Sequence, residues 1–365
     1  MLANYKVAVI GHTGRGNYGH DVDRVWLEVP GCEIVAVSDP VEAGRKAAAQ
    51  RLKCEKTYAD YRQMLDEVKP QIVSIGPRWL DQHRDMVLTA AERGIHIYME
   101  KPFCRTPAEA DEMIAACEKK NVKLALAHQT RYSPKLPVIK NMIADGQIGD
   151  ILELRGRGKE DARGGGEDLW VLGSHVMNLI HYFGGEPQWC FGKVLQNGKP
   201  VGKADVKDGN EGIGPLAGDQ VTAMYGCEDG VTAYFGSRKG AAGNRFGLQI
   251  YGSKGVIEIL TGSLPGAFYL NDPSWSPGRT GKNWVPISSA GPGQPETLKD
   301  GGLLGGNIIA CNDLVNAIEE DRQPECNMYD ARTTIEMISA VFQSHVAGGP
   351  VPMPLKDREN GLKKL

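Results

Sequence analysis

No stretch of the 365 residues reaches the roughly 18 consecutive apolar residues that a membrane helix needs. The apolar start of MLANYKVAVIGHTG is short and runs into glycines, so it reads as a first β-strand and not as a targeting segment. Among the eight cysteines, Cys32, Cys54, Cys104, Cys117, Cys190, Cys227, Cys311 and Cys326, there is no CxxC pair. Such scatter points to reduced structural thiols in the cytoplasm and away from zinc or a disulfide framework. Neither sign of charge is in excess: 42 Lys and Arg stand against 45 Asp and Glu, a net charge of −3. No global field therefore recruits nucleic acid or an anionic membrane. What is present is an ordinary globular balance, 41% hydrophobic and 24% charged, in a length that suits two domains.

The first third alternates nearly unbroken apolar runs with helical segments. Lys6–Ile10, Glu33–Asp39, Gln71–Gly76, His96–Glu100 and Lys123–Gln129 read as buried strands. The segments between them include TPAEADEMIAACEKK, where Thr106 is placed as N-cap, Pro107 as first helical residue and Glu109 in capping-box register. Buried strands joined by helices predict a Rossmann-like, doubly wound parallel sheet over residues 1–126. From there to residue 365 the strands alternate in polarity, as in ILELRGRG, QVTAMYG and VTAYFGS, and glycine is frequent. This predicts a C-terminal α+β domain with a mostly antiparallel open sheet. One helix is expected over LWVLGSHVMNLIHYF, and two more over NIIACNDLVNAIEE and YDARTTIEMISAVFQSHVA. Residues 198–218 and 271–302 read as long Gly/Pro-rich loops.

After the first strand comes a glycine-rich turn, Gly11-His-Thr-Gly14-Arg-Gly16-Asn-Tyr-Gly19, leading into HDVDRVWLEV. Glycines there let the backbone approach a pyrophosphate resting on the following helix N-terminus, with Thr13 in place of the usual middle glycine and Arg15 between Gly14 and Gly16. Asp39, at the end of the second strand, suits the adenosine ribose hydroxyls and repels a 2′-phosphate, which favours NAD over NADP.

The segment 76–134 resembles the Gfo/Idh/MocA oxidoreductases. The resemblance rests on Gly76-Pro77, His83, the helix before Gly94, Glu100-Lys101-Pro102, the T-xx-EA helix and His128-Gln-Thr-Arg-Tyr-Ser-Pro134. It implies that Gly76, Pro77, Arg78 and His83 border the cofactor, that Glu100 and Gln129 hold the nicotinamide ribose and ring, and that Lys101 contacts the hydroxyl being oxidised. The chemistry agrees, because a lysine at a strand end beside a cofactor suits proton transfer as hydride leaves.

A second element, Gly164 to Gly185, resembles the family's GGG-x-L-x-D-x-G-x-H-x-x-D helix, with Gly173 and His175 in place. Val171 stands where the family has a carboxylate, Asn178 replaces the last Asp, and one extra residue precedes the helix. His175 is expected to bind a hydroxyl or act as acid/base. Glu167 or Asp168 is expected to replace the lost carboxylate, and Arg163, Glu160, Asp161 and Trp170 are further substrate-side candidates. No metal site is expected, since His175 and His181 lack i, i+4 spacing and no carboxylate or cysteine pair completes a ligand set.

These readings converge on an NAD-dependent dehydrogenase that takes hydride from a sugar, cyclitol or glycoside hydroxyl, with Lys101 and His175 as acid/base and orienting groups. The resemblance further implies a homodimer or homotetramer formed through the open sheet. Two alternatives stay open: an enzyme that retains NAD and cleaves glycosides by oxidation and elimination, and a non-catalytic sensor of NAD and sugar.

Overall fold

A computed structural model describes residues 5–241 and 243–365. Six strands, β1 (Tyr5–Ile10), β2 (Cys32–Ser38), β3 (Lys56–Tyr58), β4 (Ile72–Ile75), β5 (His96–Met99) and β6 (Leu124–Leu126), form one sheet in the order β3-β2-β1-β4-β5-β6. Every neighbouring pair is parallel. Residues 7–10 and 72–75 are fully buried, as strands covered on both faces by crossover helices must be. The order reverses between β1 and β4, so the carboxyl ends of these strands flank the crevice where doubly wound sheets bind ligands.

The connecting helices are α1 (Glu42–Leu52), α2 (Tyr61–Val68), α3 (His83–Glu92) and α4 (Pro107–Lys119). Thr106 caps α4 as expected, its hydroxyl accepting the Glu109 N–H at 3.2 Å. The Glu109 carboxylate, however, reaches back to the Arg105 N–H and not to Thr106. Strand β3, short and polar, has no counterpart in the expected set. A larger departure follows β1, where no α-helix forms and one 3₁₀ turn, Arg24–Leu27, stands in its place. Asn17, Gly19 and Asp21 all take positive φ, which breaks any α run before it starts.

The second sheet is mixed and mostly antiparallel, as predicted. Its central strands are β7 (Ile151–Arg157), β8 (Trp189–Gln196), Gln220–Gly226, Thr232–Arg238, Gly247–Gly252 and Val256–Leu260. Among the described residues only the pair of β7 with Thr232–Arg238 is parallel in this sheet. Among the strands the sequence reading left out, Trp189–Gln196, Ala267–Leu270 and Val285–Ser288 join this sheet, the last inside the expected 271–302 loop. On β8 the burial alternates, with Cys190, Gly192 and Val194 buried while Phe191 and Lys193 face out. The helix expected over 169–183 is two: α6 (Gly166–Val171) and α7 (Gly173–Gly184), after the α5 helix (Lys135–Ala144). Between them Leu172 swings to φ −118°. The break brings α7 close to the sheet: a Cβ on Gly156 would lie 2.4 Å from Val176 and one on Gly173 2.9 Å from Phe235.

The chain forms two compact units. The first comprises Met1–Gln129, Asn210–Ile213 and Gly302–Arg332, and the second Thr130–Gly209, Gly214–Gly301 and Thr333–Leu365. The helix Gly302–Glu319 thus belongs with the parallel sheet, although it lies after residue 126 in the chain.

Candidate active site

In the first unit the glycine turn is closed by a bridge between His12 and Asn17. Its glycines do different work. Gly16, at φ +88°, would put a Cβ 2.2 Å from the Arg78 main-chain nitrogen, so it packs the turn onto the segment after β4. Gly14, at φ +81°, faces open space with nothing within 4 Å. A flanking loop pins the turn from the other side: Arg15 pairs with Asp81 and stacks over Trp79 at 4.1 Å, and His12 Nδ1 meets Gln82 at 3.0 Å.

Asp39 is where the sequence placed it, at the end of β2, but its carboxylate is spent. Oδ2 accepts from Thr13 N at 3.0 Å, Thr13 Oγ1 at 2.6 Å and the Tyr18 hydroxyl at 2.8 Å, while Oδ1 accepts from Val41 N at 2.9 Å. Asp39 is fully buried. It therefore anchors the glycine turn. Asp39→Ala is accordingly expected to weaken NAD binding by at least about tenfold, roughly 1.4 kcal/mol, by releasing Thr13 and Tyr18, with NAD and NADP affected alike in calorimetry.

The residues at this sheet edge fit a dinucleotide. A cavity there is lined by Gly11, His12, Ser38, Pro40, Asp60 and Arg62, among others. Ser38 also carries a buried hydroxyl with no partner among the described residues. Because no α-helix follows the turn, the expected helix N-terminus under the pyrophosphate is absent; the glycine turn itself supplies the close backbone.

The residues expected from the 76–134 segment divide. Gly76 and Pro77 are buried at the end of β4, and Arg78 lies beside Glu211 at 3.8 Å. His83 is fully buried, with Nε2 2.7 Å from the Pro77 carbonyl and Nδ1 2.9 Å from that of Pro102. The ring thus sits between two main-chain carbonyls, one on the segment after β4 and one on the segment after β5. Glu100 is also fully buried, with one oxygen on His20 N at 2.8 Å and on the His20 ring, and the other on Lys101 N at 2.8 Å. Burial by itself would push this carboxyl up, but the His20 ring, the charge of Lys101 and the His20 N–H outweigh it and hold it below the ordinary range. Glu100 thus ties the His20 turn to the main chain at Lys101. Lys101 is 6% exposed and precedes a cis Lys101–Pro102 bond. Gln129 is buried and its amide donates to Asn307 Oδ1 at 3.3 Å.

In the second unit, His175 is half-buried on α7, edge-on to Phe246 at 6.3 Å. Asp168 is fully buried, accepting from Ser237 Oγ, Glu160 N at 3.1 Å and Lys159 N at 3.3 Å. Burial holds its carboxyl above the usual range, partly offset by these donors. Through these contacts Asp168 latches the 158–160 segment to the strand Thr232–Arg238. Asp168→Ala would leave buried donors without a partner and is expected to lower unfolding stability by about 2–3 kcal/mol, read in a denaturant titration. Trp170, 1% exposed, is a core residue and not an open sugar-stacking face. Glu167 is half-buried. Arg163 pairs with Asp161 at 2.8 Å and holds that carboxyl at about 2. Glu160, buried, pairs with Arg157 and with Arg245 at 2.9 Å. Val171 and Asn178, the two departures, are buried, and Asn178 points its amide to Thr334 at 3.4 Å. No group of three or more His, Cys, Asp or Glu among the described residues could hold a metal ion.

A parallel sheet in this order with a glycine turn at its switch point defines an NAD-binding Rossmann oxidoreductase domain. The sequence profile of the NAD-binding Rossmann-fold oxidoreductase family matches residues 5–128, and that of the GFO/IDH/MocA C-terminal domain matches residues 138–258. The chain belongs to the Gfo/Idh/MocA family. It is similar to levoglucosan dehydrogenase of Pseudarthrobacter phenanthrenivorans, 26% identical over 89% of this chain and 90% of that protein. A 2,7-anhydro-N-acetylneuraminate hydratase of Mediterraneibacter gnavus is 30% identical over 53% of this chain and 54% of its own. Among solved structures, a levoglucosan dehydrogenase in complex with NADH and L-sorbose shares the fold, with a TM-score of 0.78 at 22% identity over 97% of this chain and 100% of that one.

Proposed function

We propose that the chain is an NAD-dependent dehydrogenase that oxidises a hydroxyl of a sugar, cyclitol or glycoside. The observation that carries this reading is that one chain joins a nucleotide-binding sheet edge, ending in buried Lys101, to the family's second domain with His175 on α7. The relative named levoglucosan dehydrogenase, alike over nearly the full length, supports the substrate class.

In this reading the glycine turn, the strand-edge cavity and Gln129 hold the dinucleotide, and a bound nicotinamide supplies the hydride acceptor. Lys101 is the acid/base in this reading: once its ammonium has given a proton to solvent, Nζ takes the hydroxyl proton as the carbon is oxidised and returns it in the reverse direction. His175, on α7 of the second unit, is the candidate for binding a substrate hydroxyl by a hydrogen bond. With Asp168 committed to the fold, Glu167 is the remaining carboxylate of the expected pair for the substrate. NAD is preferred to NADP, since no lysine or arginine replaces Asp39 at the end of β2. The open face carrying Phe191, Met224 and Tyr234 on neighbouring strands supports a homodimer or homotetramer, which sedimentation velocity separates from a monomer. None of the eight cysteines is in a disulfide, which suits a reducing cytoplasm.

A second reading is favoured by the relative named a hydratase. There the oxidation is transient and the products are redox-neutral, so NADH does not accumulate. Incubation with NAD⁺ and levoglucosan, myo-inositol or a 2,7-anhydro sugar, with both NADH absorbance and product analysis, separates the two: net NADH marks a dehydrogenase, and product without NADH the second chemistry. Neither product nor NADH from any sugar of a wide panel would contradict both.

A further inference from the structure

The glycine turn ends in a histidine that the proposed reaction does not use. His20 is held at three points, all within the first unit. Its main-chain nitrogen donates to Glu100 Oε1 at 2.8 Å, its carbonyl accepts from Asn307 Nδ2 at 2.7 Å, and its ring Nδ1 faces the same Glu100 oxygen. Asn307 is fixed in turn, its Oδ1 accepting from the Tyr98 hydroxyl at 2.8 Å. Approach this close requires Gly19 just before it, where φ is +70° and a Cβ would sit 2.5 Å from Glu100 Cγ.

Two of these contacts already tie the turn down through the main chain. The ring contact adds nothing the loop needs for closure, and the ring is a third exposed, unlike a core histidine. What it does add is a second donor on one oxygen of a fully buried carboxylate whose other oxygen holds the Lys101 N–H at 2.8 Å. The His20 N–H alone gives that oxygen one donor, and the ring supplies a second, so that three donors together hold the carboxylate on which the Lys101 peptide rests.

We propose that His20 is a positioning residue: its ring clamps Glu100, and Glu100 fixes the main chain from which Lys101 works. The inference rests on the role given to Lys101 above and deepens it. The pair has the arrangement by which a carboxylate orients an imidazole, used here in reverse, with the imidazole orienting the carboxylate.

The test compares His20→Ala and His20→Asn with wild type and Lys101→Ala, using NAD⁺ with levoglucosan and myo-inositol as probes. His20→Ala is expected to lower kcat by at least about tenfold, with KM and NAD affinity within about threefold and the melting temperature unchanged. His20→Asn, whose amide N–H replaces the ring Nδ1–H, is expected to recover most of that loss. Nitrogen-15 NMR of labelled histidine, assigned with His20→Ala, is expected to show His20 protonated at Nδ1, and Glu100→Gln to abolish that signature. A ring protonated only at Nε2 overturns the proposal whether or not either probe is turned over, as does a His20→Ala kcat within about twofold of wild type. Lys101→Ala with wild-type turnover would instead overturn the role of Lys101, and this result is read separately from the NMR.

Discussion

Lys101→Ala is expected to reduce kcat by roughly 10²–10⁴-fold, the range that a positioned general acid/base supplies, while NAD affinity stays within several-fold. The separation follows from where the residue sits. Lys101 lies two residues past the end of β5, while the glycine turn, the strand-edge cavity and the Asp39 anchor are built by other residues that the substitution leaves alone. Its side chain is 6% exposed, so its loss opens a small void next to Glu100, and a modest fall in melting temperature accompanies the kinetic loss. Steady-state kinetics with calorimetry on one preparation measures both. A variant with native NAD affinity and unreduced turnover would remove Lys101 from the mechanism.

Gly16→Ala is expected to give the second large effect, on cofactor binding. At φ +88° an alanine is strained whatever its surroundings, and its Cβ would lie 2.2 Å from the main-chain nitrogen of Arg78, which cannot yield as a flexible side chain could. Strain of this kind costs about 1–3 kcal/mol, which the turn relieves by lifting off the segment after β4. NAD affinity is then expected to fall by at least about tenfold, with the far-ultraviolet spectrum of the folded chain retained. Gly14→Ala is the internal comparison: its φ is equally positive, but its Cβ meets nothing within 4 Å. A smaller effect at Gly14 than at Gly16 separates crowding from backbone strain.

The parallel sheet was legible because its strands are buried on both faces and read as unbroken apolar runs. The second sheet was legible because one face of each strand is open. The site was legible only in residue type. Asp39, Glu100, His83 and Asp168 each carry a group that could meet a ligand, and sequence does not say which oxygens or nitrogens are already taken. Asp168 is satisfied by Ser237, 69 residues away, and Gln129 meets Asn307 across 178 residues. No local pattern marks either pair. His20 was passed over because the glycines drew attention to the turn and not to the residue that closes it. The missing helix after β1 has a local cause, since three positive-φ residues at 17, 19 and 21 interrupt it, yet Asn and Asp are compatible with a helix on composition alone.

The central claim is that this chain oxidises a carbohydrate hydroxyl with NAD⁺ through Lys101. The most direct measurement is the absorbance of reduced nicotinamide during incubation with NAD⁺ and a panel of sugars, cyclitols and anhydro sugars, run in parallel for wild type and Lys101→Ala. The account predicts NADH formation on at least one member of the panel by the wild type, and at least about a hundredfold less by the variant. NADH formed at equal rates by both proteins, or by neither across the panel, would contradict it.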